Sequence, residues 1–112
     1  MTCQETYDLW APVWEKEPEL RIGDIRMSVS GDGKLVRDNG CISQSDATSI
    51  INWTALEWLV KKGWVLCYAE GIKKWFVLAP GDSIGLQANS TGHYDTPTKA
   101  LNAACWAVLE ME

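Results

Sequence analysis

No run of apolar residues in this 112-residue chain approaches the roughly eighteen needed to span a membrane. The opening stretch, Met1 to Trp10, has neither the basic region nor the apolar core of a secretion signal, so a cytoplasmic address is expected. The four cysteines, Cys3, Cys41, Cys67 and Cys105, stand far apart without a CxxC pair. That spacing excludes an ordinary structural zinc site and fits reduced thiols in a cytoplasmic protein; no cofactor or metal is expected. Histidine occurs once, at His93, so imidazole chemistry has a single candidate. A basic excess is also missing. Ten Lys and Arg face fifteen Asp and Glu, and the net charge of −5 opposes any general phosphate track. Nucleic acid and membrane are therefore not expected as partners.

What the chain does have is an apolar fraction of 46% and a charged fraction of 22%, as in soluble globular proteins. Its length suits a single domain over 1–112, with an N-terminal aromatic segment and hairpin at 1–45 and a helix-sheet-helix core at 46–112. Tyr7, Trp10 and Trp14 fall at helical spacing, but Pro12 belongs in a first turn, so only a short helical turn starting near it is expected. Ile25, Met27 and Val29 alternate with Arg26, Ser28 and Ser30, as in a half-buried strand. Gly31-Asp32-Gly33 then reads as a turn into a return strand at 34–37, closed by a second turn at Asp38-Asn39-Gly40.

The next segment, 46–62, has a helical stripe of Ile51, Ala55, Trp58 and Leu59, a cap at Ser45 or Asp46 and a stop at Gly63. Strands are expected at 64–68, 74–78 and 84–88, with turns near Glu70-Gly71 and Pro80-Gly81-Asp82. A last helix opens at Thr96-Pro97 and buries Leu101, Ala104, Cys105 and Val108. The expected fold is α+β: a small antiparallel sheet with two helices on one face, α-β-β-β-α, preceded by an N-terminal β-hairpin.

The order over 46–112 resembles in shape the double-stranded RNA-binding domain. Where that family carries a lysine-rich helix start, Thr96 to Ala104 offers only Lys99, so the resemblance implies the shape without the binding. A second resemblance rests on Trp75-Phe76-Val77, Tyr94-Asp95-Thr96, Ala100, Ala103-Ala104 and Val108-Leu109-Glu110. These residues, within 64–110, resemble the phage ABA-sandwich family of small bacteriophage proteins. It implies a phage-encoded protein acting in the host cytoplasm and assigns no active site.

Gly81-Asp82-Ser83-Ile84-Gly85 resembles the nucleophile block of GDSL hydrolases, but only His93 follows and no Asp stands three residues before it. It reads as a turn and strand start. Cys67 or Cys105 could pair with His93, yet each lies on an expected strand or core helix face, where cysteine is a small apolar filler. An enzyme is therefore unsupported.

Seven tryptophans are too many for the core of so small a domain. Trp58, Trp64 and Trp75 are assigned to the core, while Trp10, Trp14, Trp53 and Trp106 are expected partly outside it. Residues 1–19 carry five acidic groups against one lysine. The candidate partner-binding residues are accordingly Trp10, Trp14, Glu15, Glu17, Glu19 and Trp106, with aromatic anchors and carboxylates that steer a basic partner. The expected function is non-enzymatic binding of a protein with a basic surface. With the phage resemblance, that becomes inhibition or modulation of a host defence or nucleic-acid-handling complex. The alternative is a small-molecule-binding or minor catalytic domain using a Trp-lined loop around His93. A homodimer is compatible with either.

Overall fold

The computed structural model describes residues 2–21, 25–28, 33–37, 40–80 and 92–111. Its elements are α1 (Cys3–Lys16), a 3₁₀ turn (Pro18–Leu20), β1 (Arg26–Met27), β2 (Leu35–Arg37), β3 (Gly40–Ile42), α2 (Gln44–Lys61), β4 (Val65–Ala69), β5 (Lys74–Leu78) and α3 (Pro97–Met111). They divide into two compact units, 1–54 and 55–112, and α2 contributes residues to both.

The first unit begins with a reciprocal cap. The Glu5 amide donates to Thr2 Oγ1 at 3.1 Å and the Thr2 amide to Glu5 Oε1 at 3.1 Å, satisfying two donors that a helix start leaves unpaired. From there α1 runs fourteen residues with Pro12 inside it, which corrects the expectation of a short turn starting near that proline. A proline in a helix interior typically costs about 3 kcal/mol, by removing one backbone bond and crowding the preceding turn. Here Pro12 lies on the exposed side, while Trp10, Val13 and Trp14 are buried on the other. Burial of two indoles outweighs the missing bond. The helix stops at Pro18, with the Glu17 amide donating to the Val13 carbonyl at 2.9 Å.

The expected N-terminal hairpin is also corrected: the sheet has three strands in the order β1-β2-β3, all antiparallel. Arg26 pairs with Val36 and Met27 with Leu35, then Leu35 pairs with Ile42, Val36 with Cys41 and Arg37 with Gly40. Gly40, expected in a turn, opens β3 at φ +112°, a backbone conformation that a side chain disfavours. Residues 29–32 of the expected hairpin lie outside the described residues. Helix α1 packs on β1 and β2, over a core that includes Ile25 and Leu35.

Helix α2 is capped two residues earlier than Ser45 and three earlier than Asp46, the caps expected. Ser43, and not Ser45 or Asp46, accepts from the Asp46 amide at 3.1 Å, and the Ala47 amide bonds to the Ser43 carbonyl at 2.9 Å. At the other end, the Gly63 amide donates to the Val60 carbonyl at 2.9 Å and the Trp64 amide to that of Leu59 at 3.0 Å. This is a left-handed stop with Gly63 at φ +89°, closed by the buried pair Leu59 and Trp64. A Cβ at position 63 would sit 3.2 Å from Pro80 Cγ. Gly63→Ala is therefore expected to lose about 1–2 kcal/mol in a urea titration, from the left-handed backbone alone.

The second unit contains a two-stranded antiparallel sheet in which Val65 pairs with Leu78, Cys67 with Phe76 and Ala69 with Lys74. The α-β-β-β-α expectation is corrected: the described residues form three α-helices, a three-stranded sheet and a two-stranded one. The expected third strand at 84–88 falls outside the described residues. Among those described, the far edge of β5 is met at one position, where Trp75 and Tyr94 exchange backbone bonds of 2.7 and 2.8 Å. Helix α3 packs against β5 and β4. Thr96 Oγ1 accepts from the Lys99 amide at 3.3 Å, and Pro97 takes the first helical position.

Candidate functional site

The face of α1 turned to solvent is acidic. Glu5, Asp8 and Glu15 are exposed at spacings of three and seven, with Pro12 between them, and Glu19 is exposed just beyond. That period puts the carboxylates on one side of the helix and Thr6, Trp10, Val13 and Trp14 on the other. The first unit holds nine acidic and five basic residues, the second six and five. The negative charge is concentrated in the first unit.

The sequence-derived partner face is thus divided by the helix itself. Trp10 is 0% and Trp14 5% exposed, which corrects the expectation that both stand partly in solvent. The reason is the full-length helix, whose period turns positions 10 and 14 inward together. Tyr7 meets Trp14 edge-on at 5.9 Å. Glu15 and Glu19 are exposed, whereas Glu17 is half-buried at the helix end and accepts from the Glu19 amide at 3.4 Å. Trp106 is half-buried on α3, in the second unit. Trp53 is 62% exposed on α2. The Thr2-Glu5 box was the sequence signal that could have revealed α1, since a Thr three residues before a Glu marks a helix start.

In the second unit an open groove of about 550 Å³ is lined by Trp64, Ala79, Pro80, Ala107, Glu110 and Met111. A second hollow of about 460 Å³ shares Trp64, Pro80 and Met111 and adds Lys62 and Val108. The walls are apolar, with one ammonium and one carboxylate at the margins. Lys62 lies 4.7 Å from the centre of the Trp58 ring. No sequence pattern announces this groove, because three separated segments supply it.

His93 is exposed and its ring lies 5.0 Å from that of Phe76. Residues 81–91, including the Ser83 block, lie outside the described residues. Nearby, the Lys74 ammonium bonds the exposed Asp95 carboxylate and holds its pKa below the usual value. Burial pushes the Cys105 thiol up to about 12, so it is neutral and unreactive at ordinary pH. Cys105 is expected to resist alkylation at pH 8 in the folded protein, while exposed Cys41 reacts promptly; peptide mass mapping reads both. Equal labelling would show that the α3 core opens freely.

Among the described residues no group of three or more His, Cys, Asp or Glu could hold a metal ion. No helix among them is long and apolar enough to cross a membrane. Compared with known proteins, the chain matches no family model, no curated protein and no solved structure.

Proposed function

We propose that the chain is a non-enzymatic protein-binding module that recognises a basic surface through the solvent face of α1. The observation that carries this reading is the stripe Glu5, Asp8 and Glu15, displayed on a helix whose opposite face is buried by Trp10 and Trp14, with Glu19 exposed in the turn that follows. Rigid display matters, because charges held on a regular element steer and orient a partner without an added ordering cost. The tryptophans act as internal supports of that face. They are not anchors that enter the partner.

The test is capture from a cell lysate with the full chain, followed by titration of the recovered partner. Neutralising the stripe and Glu19 together, with Glu5→Gln, Asp8→Asn, Glu15→Gln and Glu19→Gln, should slow association and flatten its salt dependence while leaving the circular dichroism unchanged. Unchanged association with a stoichiometric partner would remove the stripe from the interface.

A second reading has its own observation. The Trp64 groove, at about 550 Å³, falls within the volume range of small-molecule sites. A small apolar ligand there would shift the Met111 methyl resonance and leave the α1 amides unmoved; the basic partner would do the reverse.

A further inference from the structure

Strand β4 has one edge bonded to β5 and another that no described residue pairs. Which of its groups face outward follows from the bridge on the far side of β5. Trp75 directs both its N–H and its C=O to Tyr94, away from β4. In an antiparallel ladder each residue points both groups to one side and neighbours alternate, so Trp75 and its partner Tyr68 form a non-hydrogen-bonded pair. The close ring contact between them, 4.8 Å, agrees with that assignment. Tyr68 and, two residues earlier, Leu66 therefore present their backbone donors and acceptors at the open edge.

Natural sheet edges are usually protected by charge, proline, a bulge or a covering segment. Val-Leu-Cys-Tyr-Ala carries no charge and no proline, and its register with β5 runs without a bulge from 65 to 69. Val65 is 53% and Tyr68 46% exposed, with Ile72 at 56% in the adjoining turn. Two strands are also a marginal sheet, and pairing with two more would double it.

We infer that this edge pairs with the same edge of a second copy of the chain, antiparallel about a two-fold axis at Cys67, making a four-stranded sheet across the dimer. The register is set by the available groups. With Cys67 opposite its counterpart, Leu66 and Tyr68 of each copy exchange both backbone bonds, giving four in all from strand residues alone. Shifting the axis to Leu66 would require the Trp64 amide, which already donates to the Leu59 carbonyl. Shifting it to Tyr68 would require Glu70, in the turn beyond the strand. A copy of the same edge is the occupant because the two residues with outward groups, Leu66 and Tyr68, stand symmetrically about Cys67 and so complement themselves under a two-fold axis. The interface is short, about 17 Å of strand, and belongs with weak and reversible associations.

Sedimentation equilibrium of the full reduced chain should show a monomer–dimer equilibrium with a dissociation constant on the order of 10–100 µM. Leu66→Pro removes an outward amide while leaving the β4–β5 bonds intact, and Cys67→Lys sets two ammonium groups opposite each other across the axis. Each should weaken association at least about tenfold. If Leu66→Pro fails to fold, Cys67→Lys, checked by circular dichroism against Cys67→Ser, decides alone. A chain with Cys3→Ser and Cys41→Ser should also form a disulfide dimer through Cys67 when treated with diamide. Two thiols then lose two hydrogens to the diamide, and opposed residues in this register lie within the Cα separation a disulfide requires. A wild-type chain that stays monomeric throughout that concentration range overturns the inference. So does a dimer unaffected by folded Cys67→Lys, or one that diamide cannot link through Cys67.

Discussion

Trp10→Ala is expected to cost about 3–5 kcal/mol of stability, the range for removing an aromatic side chain from a closed core. Trp10 is fully buried on α1, one turn from Thr6 and one from Trp14, both also buried. Alanine would leave a void the size of an indole against a rigid helix, which cannot collapse to fill it. The loss also removes the burial that lets α1 tolerate Pro12, so the helix content itself should fall. Chemical unfolding followed by far-ultraviolet circular dichroism measures both. The indole Nε1 has no protein acceptor, so Trp10→Phe should be distinctly milder than the alanine variant. Neutralising exposed Glu15 should change stability by no more than about 0.5 kcal/mol, as surface substitutions usually do. A stable Trp10→Ala protein would mean that the ring is dispensable to the unit and free to serve elsewhere.

Leu101→Ala carries the second large effect, about 2–5 kcal/mol by the same cavity argument. Leu101 is 1% exposed on α3, flanked on its own face by Ala100, Ala104 and Cys105, all buried. The small neighbours that let α3 lie close to the sheet cannot extend into the space that leucine vacates. Urea titration should report the loss, and the exchange protection of the β5 amides should fall with it, since α3 packs on that strand. A change below about 0.5 kcal/mol would show that the α3 face is not closed against the sheet.

Pro12 marks where reading the chain residue by residue loses its power. Its local preference is to begin a helix, and the Thr2-Glu5 box that begins this one lies three turns away in the opposite direction. The charge face and the tryptophan face of α1 were both visible in the sequence. Their separation onto opposite sides was not, because it requires the helix to continue through the proline. Trp64, Pro80 and Met111 show the same limit from another direction: Trp64 reads as core and Pro80 as a turn in their own segments, and only packing joins them with Met111 in one groove.

Local chemistry alone determined the second unit's elements. Gly63 as a stop, Thr96-Pro97 as a start and the β-branched and aromatic runs at β4 and β5 act within a few residues, where caps and side-chain alternation operate. Tertiary structure decided the remainder. Burial of Trp10 and Trp14 carried α1 across Pro12, and the packing of α1 on β1 and β2 supplied the surface they are buried against. That depends on free energy from residues distant in the chain, and no local preference contains it.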